Sequence, residues 1–336
     1  MNFVNVTGYL SSGSSAVVDY IREFENCACC KSEIRFIRDP YGIIDLDCAL
    51  TQFWENERAS FAIWKFLDIS KKWQRFNRHV WSPAGHSYKK FLNKDYYKIS
   101  EKYIEKFTDF RAVFPHYAET YEQNYFCYVI NRIRKNLEKK SKGKKYIANR
   151  RLRQSYFAHP SEEQFIEATR DYIEELFLPL SDNCKNLIVL DQALAPDDLY
   201  LTNRYFRNCK NIIVSRDPRD MYITNVFLMD VIAQKKGSLE SGIKFVKHFK
   251  TLVERTKVGS DPCLKVRFEE FVLNYDKCAK EINSFLGLDN CCHSNPKSRF
   301  NPAISVKNIG IWKSHYSTCK EAIDYIYKEL KPYCWD

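Results

Sequence analysis

The chain opens on FVNVTGYLSSGSSAVVDYIREF, residues Phe3 to Phe24, and this stretch decides the fold. Phe3–Tyr9 is short and β-branched, the composition of a strand. Ser11–Ser15 (SSGSS) is turn chemistry. Ala16–Phe24 then sets Val17, Val18, Ile21 and Phe24 on one face of a helix. A strand, a glycine loop and a helix in immediate succession predict the opening unit of an α/β sheet.

The loop has a further reading. Gly8 to Ser15 forms the frame G-x-x-x-x-G-x-S. Loop N–H groups and a helix N-terminus converging on one point make an anion cradle, and serine hydroxyls add donors. Glycine belongs where the backbone approaches the anion or turns to positive φ. A nucleotide kinase carries lysine after the second glycine, and this chain has Ser14. The loop suits a phosphate and lacks the usual triphosphate lysine.

Working outward, short apolar segments recur at Leu187–Asp191 (LIVLD), Asn211–Ser215 (NIIVS) and Cys263–Phe268 (CLKVRF), with helical segments between them. Ile34–Ile37 is read as another strand. This pattern predicts a parallel sheet covered on both faces, a three-layer α/β sandwich. Asp276–Leu288 reads as a helix ending at Gly287, and Cys319–Leu330 as a final helix. Residues 51–180 turn helical, aromatic and charged, and are expected to form a large insertion within a single domain spanning 1–336.

NIIVSRDPRDMYIT (Asn211–Thr224) carries the second site signal. Pro218 fits the first turn of a helix and Asp217 favours its N-terminus. Arg216 then stands at the C-terminal end of a strand, where open α/β sheets place ligands. Its planar fork of donors suits a phosphate. Thr224 is expected about two turns along the helix, adding a hydroxyl.

These two stretches resemble the sulfotransferases that use PAPS (3′-phosphoadenosine 5′-phosphosulfate). That family pairs an N-terminal [KR]-S-G-[ST]-[ST] loop with a later R-x-P-x-D-x-x-x-[ST]. Here they stand as Ser12-Gly13-Ser14-Ser15 and as Arg216 through Thr224. KVRFEEFVLNYDKCAKEINSFLGL (Lys265–Leu288) is similar to the family's R-[YF]-E-[DE]-[LF] strand and its following helix. NIGIWKSHYS (Asn308–Ser317) is similar to its C-terminal G-x-W-K segment. The resemblance implies a P-loop-like fold and transfer of a sulfuryl group to an acceptor hydroxyl. The products would be a sulfated acceptor and adenosine 3′,5′-bisphosphate, with no metal required. It implies that Ser11, Ser12, Gly13, Ser14 and Ser15 hold the 5′-phosphosulfate, and Arg216 and Thr224 the 3′-phosphate. Gly310 and Trp312 would belong to the segment closing over the nucleotide.

The departures matter. The family usually has lysine or arginine where Ser11 stands, and a hydroxyl cannot neutralise charge. Lys307 and Lys313, flanking Gly310-Ile311-Trp312, are candidates to replace it. The cytosolic branch stacks adenine on an aromatic just after the loop, and Ala16 and Val17 occupy that place. The loop is closer to the R-S-G-S-S of the glycan-modifying branch. For the base that takes the acceptor proton, the histidine of the cytosolic branch is replaced by Leu190-Asp191-Gln192. Asp191 and Glu33 are candidates, and His86, His116 and His159 are weaker ones.

Composition bounds the remainder. Thirteen cysteines, odd in number and irregular in spacing, read as reduced thiols. Cys27–Cys29–Cys30 and Cys291–Cys292–His293 lack the paired C-x₂-C spacing of structural zinc, so no metal is expected. No apolar run approaches the roughly 20 residues of a membrane span, so the expectation is a cytoplasmic enzyme or one whose anchor lies elsewhere. Net charge is +11, and Arg132–Arg153 alone carries eleven Lys or Arg against the single acid Glu138. That stretch is either a solvated face or a footprint for an acidic polysaccharide, a phospholipid surface or nucleic acid. No nucleic-acid-binding motif accompanies it.

The acceptor reading stays open between a glycan or glycolipid, from the loop and basic stretch, and a sterol or phenol, from the aromatic-rich insertion. Two other classes compete: a P-loop kinase, against which Ser14 argues, and a non-catalytic binder of anionic polymers with a degenerate nucleotide site.

Overall fold

The computed structural model describes residues 1–30, 33–75, 88, 92–112, 124–140, 154–181, 187–228, 236–259 and 261–336. Five strands form one parallel sheet in the order β2-β5-β1-β6-β7: β1 (Phe3–Gly8), β2 (Cys27–Cys29), β5 (Leu187–Asp191), β6 (Cys209–Ser215) and β7 (Cys263–Arg267). The strand that opens the chain is therefore the middle one, with Val4 facing Val189 on one side and Lys210 on the other.

Residue alternation along these strands builds two cores. Phe3, Ile188, Leu190 and Ile213 point to one face, while Val4, Val6, Val189, Ile212 and Val214 point to the other. A strand buried on both faces is mostly apolar, as Leu187–Leu190 and Ile212–Val214 are, while the buried Asn5 and Thr7 of β1 are hydrogen-bonded to Leu194 and Gln192. The first face is covered by the insertion: α2 (Asn56–Arg75), α3 (Tyr96–Glu105) and α5 (Glu162–Phe177) bring Phe66, Tyr96, Tyr103, Phe165, Tyr172 and Phe177 to it. Full burial of each phenylalanine ring among these contributes roughly 1.5–3 kcal/mol. The second face is covered by α1 (Ser14–Ile21), then by α8 (Phe268–Leu273) and α9 (Tyr275–Leu286), through Val17, Ile21, Phe271 and Ile282. The sandwich expected from the sequence is thus present.

A third apolar cluster joins α6 (Pro218–Ile223) and α7 (Leu239–Arg255) to α10 (Tyr316–Leu330), through Tyr222, Phe245, Phe249, Ile323 and Ile326. It fixes the C-terminal part of the chain beside the end of β6.

Three local expectations need correction. Ile34–Ile37 is not a strand. The edge strand is Cys27–Cys29, and Ile34 makes one sheet-like bond, its N–H donating to the Asp191 carbonyl at 2.9 Å. The chain then turns, with Ile34, Phe36 and Ile37 buried as a loop whose carbonyls at Phe36 and Ile37 accept from Ile43 and Ile44. A four-residue apolar run is buried equally well either way, so its periodicity does not decide. The insertion is also not purely helical. β3 (Thr108–Ala112) and β4 (Ser155–Ala158) pair antiparallel, with α4 (Tyr125–Lys140) between them in sequence. Thr224 stands just past α6, which ends at Ile223, and it opens a π-helical turn, Thr224–Leu228.

Candidate anion-binding site

Both glycines of the loop frame are required by close approach. A Cβ on Gly8 would lie 2.1 Å from Ser12 Oγ and 2.5 Å from the Val214 carbonyl. Gly13 has φ +83°, and a Cβ there would meet the Phe268 ring at 2.7 Å. Gly13 caps α1 and has no side chain to satisfy the first N–H groups, so α1 has no side-chain cap. Those donors and the helix dipole are left facing the loop.

Each loop serine is placed differently. Ser11 is strained at φ 57°, and its hydroxyl donates to Asn225 Oδ1 at 3.3 Å. Ser12 is buried, and its Oγ has no hydrogen-bond partner. A buried hydroxyl without a partner costs about 1–3 kcal/mol, an outlay that a bound acceptor removes. Ser14 Oγ accepts from Gln192 Nε2 at 2.7 Å, and Gln192 Oε1 accepts in turn from Thr7 at 3.2 Å. Ser15 is exposed in the first turn of α1.

Arg216 leaves the end of β6 and turns back over this loop. Its Nη1 donates to the Ser11 carbonyl at 3.2 Å and to Thr224 Oγ1 at 3.3 Å, and its Nη2 donates to the Asn308 carbonyl at 2.6 Å. Its Nε is buried with no partner, and Phe268 lies under the guanidinium at 5.2 Å. Burial pushes Arg216 down from its ordinary pKa, while Asp220, Glu269 and Asp217 pull the other way. Among the described residues no carboxylate comes within ion-pair distance of it. A buried cation held by carbonyl dipoles is a receptor for an anion.

The neighbouring acids have other duties, of which the local sequence indicated only the place of Asp217 at the start of α6. Asp217 caps α6 by accepting from Arg219 N–H, and pairs with the Arg219 guanidinium at 2.7 Å. Pro218 occupies the first turn of α6, as its fixed φ favours. Asp220 accepts from the N–H groups of Gly310 at 2.7 Å and Trp312 at 3.0 Å. The Trp312 ring faces Arg219 at 4.3 Å. Upstream, the buried Glu23 carboxylate accepts from His293 Nε2 and from the N–H groups of Lys297, Arg299 and Phe300. The segment 293–312 is therefore fastened to the end of α1 and to α6, passing Arg216 between them.

Lys307 and Lys313 are exposed on this segment. Lys307 precedes Asn308, whose carbonyl holds Arg216. Lys313 folds back along Gly310, with its ammonium 5.8 Å from the Trp312 ring centre.

Asp191 and Glu33 are brought together. Burial, reinforced by the Glu33 carboxylate, pushes Asp191 up from 3.8 to about 6. Glu33 is exposed and bonded to Arg35 at 3.3 Å. Asp191 adjoins Gln192, whose positive φ of 58° turns its side chain onto Ser14. Asn5 fixes the same loop, exchanging bonds with the backbone of Leu194. His159 lies instead at the insertion surface against Trp54, 4.6 Å between ring centres. His86 and His116 lie outside the described residues, as do residues 141–153 of the basic stretch.

Cavities of about 490 and 510 Å³ open elsewhere, beside Lys98 and Glu175 and beside Lys277 and Phe285, and no loop residue lines either. Among the described residues no group of three His, Cys, Asp or Glu could hold a metal ion. Nor is any helix there long and apolar enough to cross a membrane.

No family model matches the chain, and no curated protein matches it. Among solved structures it is similar to one described as the sulfotransferase domain from the Synechococcus PCC 7002 olefin synthase. That likeness covers 97% of this chain and 94% of the other, at 12% identity and a TM-score of 0.36.

Proposed function

We propose that the chain is a sulfotransferase that takes a sulfuryl group from PAPS. The observation that carries this reading is the convergence on Arg216. One buried guanidinium bonds the Ser11 carbonyl of the loop, the Thr224 hydroxyl and the Asn308 carbonyl of the C-terminal segment. Those are the three stretches that the sequence resemblance assigns to one nucleotide. The unpartnered Ser12 Oγ and Arg216 Nε are two further donors suited to phosphate oxygens.

In this reading the N–H groups at the start of α1, with Ser12 and Ser15, hold the 5′ side of the donor, and Arg216 with Thr224 holds the 3′-phosphate. Bound there, the donor supplies an activated sulfuryl group. Asp191 takes the proton of the acceptor hydroxyl, since a carboxylate with a value near 6 is largely ionised at neutral pH yet basic enough to accept it. Burial, and then the charge of Glu33, keeps that value high. The segment carrying Gly310 and Trp312 is held by Asp220 and presents Lys307 and Lys313. The acceptor class we favour is the hydroxyl of a glycan or glycolipid, which rests on the loop's likeness to R-S-G-S-S.

Thermal unfolding with two ligands tests the assignment. Adenosine 3′,5′-bisphosphate should stabilise the chain, by about 2.7 kcal/mol at a hundred times its Kd, and ATP with Mg²⁺ should not. Stabilisation by ATP–Mg²⁺ alone would replace this reading with a kinase.

A further inference from the structure

α4, Tyr125–Lys140, is built unlike its neighbours in the insertion. Its sequence YFCYVINRIRKNLEKK sets Phe126, Val129, Ile130, Ile133 and Leu137 at i, i+3, i+4, i+7 and i+11, a single stripe along one side of a helix. In α3 the comparable residues, Tyr96, Ile99, Tyr103 and Ile104, are buried in the core. In α4 none is buried: Phe126 is 72% exposed, Ile133 53% and Leu137 61%, Val129 and Ile130 are half-buried, and Tyr125 at 82% lies beside them. Local bonds support its first two turns. Asn124 Oδ1 caps its first turn by accepting from Cys127 N–H at 2.9 Å, and Arg132 donates to the Tyr128 hydroxyl at 2.9 Å.

The charge of the same stretch is one-sided. From Arg132 to Arg153 eleven cationic residues stand against one acid, Glu138. Exposed large apolar residues at helical spacing, joined to an almost unbroken run of positive charge, are the two components of an interfacial helix. The apolar side enters the boundary between headgroups and acyl chains, and the cations meet anionic headgroups. Sixteen residues with several charges are too short and too polar to span. A groove on an acidic protein would need acids spaced to match particular lysines. A continuous anionic surface makes no such demand on a run of cations broken by a single acid.

We infer that α4 is a membrane-surface helix that seats this protein on anionic phospholipid, with Phe126, Ile133 and Leu137 inserted and the net positive charge of the sequence from Arg132 onward supplying the attraction to the headgroups. This does not depend on the sulfotransferase reading. The test is co-sedimentation of the full chain with phosphatidylcholine vesicles, with and without phosphatidylserine. Binding is expected only with phosphatidylserine, and it should weaken as salt rises. Replacing Arg132, Lys139 and Lys140 together by Gln should weaken binding by about fivefold per charge, roughly a hundredfold in all. Ile133→Gln with Leu137→Gln, which leaves the charge of the stretch unchanged, should weaken it by about tenfold or more, with the thermal midpoint of the wild type retained. No binding to phosphatidylserine vesicles at low salt overturns the inference. So does undiminished binding of the Ile133→Gln, Leu137→Gln variant, which would mark loose adhesion of a cationic surface. Retention on a sulfated polysaccharide or an acidic protein, without vesicle binding, assigns the stretch to that partner instead.

Discussion

Arg216 Nη2 donates to the carbonyl oxygen of Asn308 at 2.6 Å, joining the end of β6 to a segment 92 residues further along. The bond consumes a donor of a cation that an anion could otherwise use. It also places the backbone of the C-terminal segment against the phosphate loop, because the same guanidinium bonds Ser11. A phosphate bound at Arg216, as proposed, would therefore be coupled to the position of residues 307–313.

Arg216→Ala should weaken binding of adenosine 3′,5′-bisphosphate by about 1.5–3 kcal/mol, the range for a charge-assisted hydrogen bond. Titration calorimetry reads this directly. Arg216→Lys should recover only part of the loss, since an ammonium cannot reach Ser11, Thr224 and Asn308 with a planar fork. Wild-type affinity in the alanine variant removes Arg216 from the site.

Asp220 is predicted to act on the segment and not on the nucleotide. It accepts two backbone N–H groups, from Gly310 and Trp312. Asp220→Ala leaves those donors without a partner and should cost about 1–3 kcal/mol in stability. Residues 308–313 should then exchange amide hydrogens faster, while β1 and β6 keep their protection. Uniform loss of protection across the sheet would show Asp220 to be a general fold determinant instead.

Asp191 makes a prediction with two signs. As the base it must be ionised, so kcat/KM should fall as pH drops through about 6. Its folded-state value lies above the ordinary 3.8, so the folded chain binds that proton more tightly than the unfolded chain. Stability from this group is greatest at low pH and declines as pH rises from about 3.8 to about 6. Asp191→Asn should therefore lower turnover by about 10²–10⁴ and raise the thermal midpoint at pH 7. A variant that keeps its activity, with the pH profile intact, would pass the role to Glu33 or to another group.

How much of this was legible beforehand depends on sequence distance. The β1–loop–α1 unit was readable because buried parallel strands and serine turns leave local signatures, and so did Asp217 and Pro218 at the start of α6. Arg216 was readable from its place after a strand. Gln192 was not, because its bond to Ser14 spans 178 residues and no local spacing encodes it. Asp220 stood in the quoted motif, yet its partners Gly310 and Trp312 appear only once α6 and the C-terminal segment are packed. Ile34–Ile37 failed for the opposite reason: a strong local signal for burial, with none for the hydrogen-bond partner. Glu33 and Asp191 were named separately, and only folding shows that one raises the pKa of the other.

The last prediction concerns the charge missing at Ser11. In the proposed reaction, negative charge would develop on the 5′ side as the bond between the sulfuryl group and the nucleotide breaks. Ser11 meets it with no charge, and its hydroxyl is turned toward Asn225. The start of α1 supplies about half an elementary charge. Lys307 and Lys313 are exposed cations on the segment that Arg216 and Asp220 hold over the loop. One of them should serve, with its contact stronger in the transition state than in the ground state. Lys→Ala at that position should lower kcat by about 10²–10³ with little change in donor affinity, as for loss of one preorganised donor. The other Lys→Ala should be near wild type, which identifies the residue. Ser11→Arg should restore part of the rate in the impaired background. Because Ser11 has φ 57°, the substitution keeps a strained backbone, and the rescue should be incomplete. Full activity in the double Lys→Ala variant would leave the departing charge to the helix start and the loop N–H groups alone, and would end the case for either lysine.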